Sequence, residues 1–425
     1  MVHRHHGSFI SLALVTAACS SGAREPGIGS SSGDDALTDE ASSGCTAPTS
    51  PTGEGEAGSS SEATTQAEPA PACGPSIGKG GLLDAIGFTN PGDQRFSSLA
   101  LGPNGVLTAV ADVDVSNECE LLLDSKSVPL FLGGALDYPG GRRSEIAVAQ
   151  YDTSVPYGEG FLTGGVIGGV GFQRAAGVAV DGAGTIYVAG VFNGNLYLPN
   201  KLGVVEGVTQ MSGPTAVVDA PEEVHSFVAA YRPTGELLWH TQIGGAQGSG
   251  AWIEAIAVNS SGELALVGAA HGEIPAGLGE ACQLGDSWGP FVAKLPGGIV
   301  PPAGPLWVLC PDSDGEASRA YGVDVDEAGG VVATGFFRGS LAWRDVQGEV
   351  VPGGGVTAAG AQDLFVARWD AGGALQWHER CGSARVQSAS DEDAGQAVLA
   401  MADGRVLVAG AIGEAASCVQ DGSEV

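Results

Sequence analysis

The chain has 425 residues, 70 of them glycine, and only 16% are charged, a composition that suits many tight turns joining short strands and excludes a helix-rich fold. Its formal net charge of −31, from 49 acidic and 18 basic residues, repels phosphate backbones and excludes nucleic acid as a partner. Acidity on this scale serves solubility before it serves any specific cation site.

The chain opens with His3, Arg4, His5 and His6 and continues into an apolar run from Phe9 to Ala18 that is too short to span a bilayer. A charged start, a short apolar middle and small residues before a cut site predict a secretory signal peptide over 1–18. Thr16, Ala17 and Ala18 stand directly before Cys19. This arrangement resembles a bacterial lipobox, with Thr16 where Leu is commonest. The resemblance implies a lipidated Cys19 as the first mature residue, and Ser20 after it implies the outer membrane. Cell-envelope localisation, with the membrane reached through a lipid anchor, is the expectation. Residues 19–75 are dominated by Ser, Gly, Thr, Ala, Pro and Glu and hold almost no side chain able to bury surface, so they are expected to form a flexible tether.

Residues 76–425 are built from one unit that returns about every 64 to 80 residues. Its first half is GVAVDGAGTIYVAGVFNG at 177–194, AIAVNSSGELALVGAAHG at 255–272 and GVDVDEAGGVVATGFFRG at 322–339. Weaker copies lie at 397–410 and 99–112. Each is an alternating apolar strand, a short turn and a second alternating strand, the pattern of a β-hairpin. The turn glycines Gly105, Gly184, Gly262, Gly329 and Gly404 align because a tight turn needs positive φ.

The second half is SFVAAYRPTGELLWHTQIGG at 226–245, matched by 363–382 and, with a longer turn, by 290–310. Two further strands follow from it, so the unit is a four-stranded antiparallel sheet. Several such units cannot cover their apolar faces alone, and radial stacking into a β-propeller buries them. The predicted units span about 96–170, 171–250, 251–318 and 319–390, with a partial one at 391–425. The excess over an ordinary blade falls between the second and third strands and is expected to form long loops on one face, where ligands bind. The last copy stops after its second strand, and GGLLDAIG at 80–87 is a candidate for closing its blade.

The strings at 177–194 and 226–245 resemble the bacterial SBBP-type β-propeller repeat of secreted and lipoprotein families. The resemblance covers roughly 80–414 and implies an all-β propeller of about four full blades and one partial, with no assigned activity.

Trp239, Trp307 and Trp377 occupy equivalent places on the fourth strand, which assigns them to packing between units. Pro233 to Trp239 also resembles the tryptophan-docking repeat of quinoprotein dehydrogenases, whose adjacent cysteine pair this chain lacks. No cofactor is therefore expected. His240 and His378 repeat just after the tryptophan, and repetition speaks for scaffold over catalysis.

Once Cys19 is set aside, seven cysteines remain. Cys282 with Cys310 is the first candidate disulfide and Cys381 with Cys418 the second, while Cys45, Cys73 and Cys119 have no assigned partner. No Cys/His spacing points to zinc. The acidic stretches around Asp312, Asp314 and Glu316, or Asp391, Glu392 and Asp393, lack the spacing of a calcium loop, so no metal is expected. The sequence contains no GxSxG and no phosphate-cradling loop.

Three functional readings follow. The first is a non-catalytic envelope binding or scaffold propeller with a protein or glycan ligand on its loops. The second is an envelope enzyme, either a glycan lyase or hydrolase or a quinoprotein-like protein, working at the propeller channel. The third is a structural spacer.

Overall fold

The computed structural model describes Ser11–Leu12 and, from residue 94 to 424, everything except 115–119, 124–125, 130–143, 156–159, 205–206, 214–223, 245–248, 273–286, 315–316, 384–392, 414–416 and 421–422. The expected signal peptide (apart from Ser11–Leu12), Cys19, the tether, the segment at 80–87 and Cys282 therefore lie outside the described residues.

Alternating small and branched apolar residues broken by Asp-x-x-Gly turns produce short strands, and the described residues contain no helix. Unit one pairs Gln94–Leu101, Val106–Asp114, Ser144–Asp152 and Phe161–Val170 in that order. Unit two pairs Gln173–Val180, Ile186–Phe192, His225–Tyr231 and Leu237–Ile243. Unit three follows with Gly250–Val258, Glu263–His271, Gly289–Pro296 and Trp307–Leu309. Unit four consists of Arg319–Val325, Val331–Phe337, Asp363–Trp369 and Leu375–Gly382, and unit five only of Ala394–Ala400 and Val406–Ala411. All these neighbours are antiparallel. Ser11–Leu12 lies parallel to Leu407–Val408, on the edge where the complete units carry their third strand.

The turns are set by local chemistry. Asp181, Asp326 and Asp370 each accept two backbone N–H groups, from the residues two and four positions ahead. The chain can then close the turn only through a left-handed residue, and Gly184, Gly329 and Gly373 have φ of 84°, 82° and 86°.

Successive units pack through their first strands, one against two, two against three, three against four, four against five. Every first strand contains a bulge, with Ser97, Ala176, Glu254, Tyr321 and Gln396 as the extra residue. The next residue is always small: Ser98, Gly177, Ala255, Gly322 or Ala397. Close approach requires this, since a Cβ on Gly322 would stand 2.8 Å from the Ala397 backbone.

Side chain to backbone bonds stitch the same junctions. Ala175 N–H donates to Asp112, Val178 N–H to Ser98, Ile253 N–H to Ser226, and Ala400 N–H to Asp324. Burial raises the Asp324 carboxyl above the ordinary carboxylate range, against the lowering effect of N–H donors from Ala400 and Val325. A folded-state pKa above the unfolded value of about 3.9 means that the native state binds the proton more tightly, so stability falls as pH rises through the raised value. The advantage of wild type over Asp324→Asn is accordingly expected to shrink in thermal melts as pH rises above the unfolded value of about 3.9. A constant difference would rule this out.

In units two and four the segments between second and third strands are not free loops, as the sequence led us to expect, but hairpins that pair with strands outside their own unit. In unit two, Asn195–Pro199 and Val208–Ser212 add to the outer strand Phe161–Val170 of unit one. In unit four, Ser340–Arg344 and Val350–Thr357 form a sheet with Asp312–Ser313, which follows the outer strand of unit three. Near the end of the chain Ser417–Gln420 pairs onto Leu375–Gly382 of unit four, and Ser423–Glu424 pairs in turn onto Ser417–Gln420. An outer strand left bare offers unpaired N–H and C=O groups, and Asn195–Pro199 and Ser417–Gln420 satisfy them on Phe161–Val170 and Leu375–Gly382. A disulfide between Cys381 and Cys418, directly opposite each other with Cα atoms 4.1 Å apart, locks the last of these pairings. Cys310 is also disulfide-bonded.

The two ends of the array keep apolar faces in water. Leu99 of unit one is 59% exposed, whereas its counterpart Val178 in unit two is 4% exposed against unit one. At the other end Leu399 and Ala409 are exposed, although Ala189, the counterpart of Ala409, is buried.

Candidate functional site

The repeated residues singled out in the sequence hold the scaffold together. Trp239 Nε1 donates to the Gly298 carbonyl at 2.8 Å, and Trp307 Nε1 to the Ala371 carbonyl at 3.0 Å. Each acceptor lies in the turn between the third and fourth strands of the following unit, so the indole latches one unit to the next. Unit five lacks those strands among the described residues, and Trp377 is correspondingly half-buried. Gly105, Gly262 and Gly404 share the positive φ of Gly184 and Gly329, at 72°, 91° and 87°.

The two histidines that look equivalent in sequence sit in different places. His378 is buried and its Nε2 donates to the Gly353 carbonyl at 3.1 Å. His240 is exposed beside a shallow cavity of about 370 Å³ bordered by Asn200, Thr209 and Pro301. Asp312 and Asp314 also serve structure, Asp312 through two bonds from Arg344 and Asp314 by accepting the Ser340 N–H. Among the described residues no group of three His, Cys, Asp or Glu side chains is placed to hold a metal.

Residues that do not repeat gather at one end of the first strands, the end from which the inserted hairpins leave. The bulge breaks the two-residue alternation and re-aims the side chain it adds. In units two to four Arg174, Trp252, Glu254 and Arg319 meet at this end, and Tyr321 is the bulge residue of unit four. Glu254, whose side chain is 8% exposed, accepts from Arg319 at 2.7 Å and stands 3.9 Å from Arg174. Both guanidinium groups lie against the Trp252 ring, 5.5 Å and 5.7 Å from its centroid. Arg319 also lies 5.7 Å from the Trp288 ring, which meets His271 edge-on. Phe172 flanks Trp252, and Tyr321 flanks Phe336, over which Arg338 is placed.

This arrangement is an aromatic and arginine seat contributed by three consecutive units. Phe172, Trp252, Trp288 and Tyr321 are all only partly buried, and the Arg174 side chain is 39% exposed. Guanidinium groups remain charged and present fixed donor forks, and aromatic faces add flat apolar area, so the seat is equipped to orient a ligand. The sequence contained one signal for it. At the starts of QRAAGVAV, AWIEAIAV and RAYGVDV a charged or large aromatic residue stands where a plain repeat would hold a small one.

Comparison with protein-family models gave no match, and none of the curated proteins matches the chain, so the function has to be read from this seat and the scaffold that carries it.

Proposed function

We propose that this chain is a non-catalytic binding module of the bacterial cell envelope, anchored through a lipid on Cys19 and reaching its ligand with the seat formed by Arg174, Trp252, Glu254, Arg319 and Tyr321. The observation that carries the reading is the contrast within the repeat. The latching tryptophans and turn glycines recur from unit to unit, while the bulge position changes from Ser97 through Ala176, Glu254 and Tyr321 to Gln396. A side chain that varies on an otherwise repeated, rigid strand is free to serve recognition.

The units form a propeller in this reading, consistent with the lipoprotein families whose repeat the sequence resembles. The exposed apolar faces of units one and five support it, because closing the ring would cover Leu99 and Leu399.

The enzyme alternative has the unrepeated residues in its favour. Acid–base work on a glycan, however, needs a second titratable group beside the first. The ion-pair partners of Glu254 are arginines, which do not give up protons.

Mature protein immobilised and probed with envelope glycans is expected to retain ligand without turnover, and Trp252→Ala is expected to abolish retention. Chemical turnover of a retained glycan would replace the binding reading with the enzymatic one. Cys19→Ala is expected to move the protein from the detergent phase to the soluble fraction, and unchanged partitioning would remove the anchor.

A further inference from the structure

The charges at the seat do not balance. Arg174 and Arg319 share the single carboxylate of Glu254, and the shorter contact, at 2.7 Å, belongs to Arg319. Asp112, a carboxylate at this end of unit one, accepts from the Ala175 N–H and the Ser97 hydroxyl. The Arg174 guanidinium is thus the more exposed and the less tightly held of the pair, in a chain whose net charge is −31. A positively charged fork against a partly open indole is suited to a planar anion carried on an apolar body.

Three observations narrow the class. The overall negative field disfavours ligands with two or more charges on one group, which favours a carboxylate over a phosphate. A peptide C-terminus is characteristically captured by clustered backbone N–H groups. Here the nearest such groups are already taken, that of Ala175 by Asp112 and that of Ile253 by Ser226. Among the described residues Phe172, Trp252 and Trp288 present ring face here, which matches the flat C–H face of a pyranose.

We infer that the seat binds a sugar acid, with the carboxylate received by Arg174 and the ring laid against Trp252, while the Arg319–Glu254 pair holds Trp252 in place. This deepens the binding reading above and rests on it.

Ligand-observed NMR and tryptophan fluorescence with the full chain can test it, using methyl glucuronoside and methyl galacturonoside beside the corresponding methyl glucoside and galactoside. Each pair differs only in the carboxylate. At least one acid is expected to bind tenfold or more tightly than its neutral partner. Arg174→Gln should reduce the acid to the affinity of the neutral sugar, and Arg174→Lys, which keeps charge without the fork, should fall between. Because Arg174 is exposed, both variants are expected to melt as wild type does, and Trp252→Phe provides a second probe that keeps an aromatic ring.

Equal affinity for acid and neutral sugars, or a preference that survives Arg174→Gln, would overturn the ligand class while leaving the seat in place. Sugar binding untouched by every substitution at Arg174 and Trp252 would overturn the seat itself. Binding of a peptide C-terminus with no response to either acid would overturn the inference in favour of a protein ligand.

Discussion

Trp307→Ala is expected to lower the free energy of unfolding by about 3–5 kcal/mol, the range for removing a large buried aromatic side chain. Trp307 is buried in the cluster between units three and four, together with Val331, Phe365 and Trp369, and its indole N–H is bonded to Ala371. The substitution therefore opens a cavity and removes the shorter of two hydrogen bonds to the Ala371 carbonyl of the next unit. Array proteins draw their cooperativity from such neighbour contacts, so urea denaturation of the variant should also separate into two transitions. Trp377→Ala provides the control, because this half-buried residue has no third-to-fourth-strand turn ahead of it among the described residues. Its loss should be less than half as large. Equal losses at the two positions would show that the indole works only within its own sheet.

Lys294→Met should cost a comparable amount, about 3–5 kcal/mol, the range for disrupting a buried charged network by removing one member. Lys294 lies on the third strand of unit three and is completely buried. Its Nζ donates to the Gly329 carbonyl at 2.7 Å and to the Ala371 carbonyl at 3.4 Å, and stands 3.2 Å from Glu263. One ammonium thus fastens both turns of unit four to unit three. Met preserves most of the stem packing, so the loss measured by denaturant melts reports the polar head. Glu263→Gln should cost less, because it keeps an acceptor beside Nζ and both bonds to the turn carbonyls, although the buried ammonium loses its counter-charge. A larger loss for Glu263→Gln than for Lys294→Met would show that the ion pair, and not the bonds to the two turns, carries the junction.

The strands and their grouping were legible because alternation with period two leaves a pattern in the residues themselves, and because it returns four times with its turn glycines in register. The latching role of Trp239 and Trp307 was legible for the same reason. The inserted segments were misread as loops. Val208–Ser212 and Val350–Thr357 have polar, glycine-containing or only weakly alternating compositions, and each pairs only with its hairpin partner, Asn195–Pro199 or Ser340–Arg344, which in turn docks on a strand edge from another unit. Nothing local to those residues reports that edge. The pairing of Cys381 with Cys418 could be suggested from their places in the repeat, but it was secured by the strand that sets them opposite each other.

The binding seat shows the same division more sharply. Arg174, Trp252, Glu254 and Arg319 are separated by as many as 145 positions in the chain and belong to three units. They converge because successive first strands pack side by side, bringing Arg174, Trp252 and Arg319 together, and because the bulge of unit three places Glu254 two residues beyond Trp252. By itself the sequence determined that the chain forms repeated antiparallel strand units and which residues make their turns, since these depend on contacts between near neighbours. Which edges pair, which carboxylate meets which guanidinium and which side chains share a surface were decided only by the tertiary structure, because those contacts exist only once distant units are packed together.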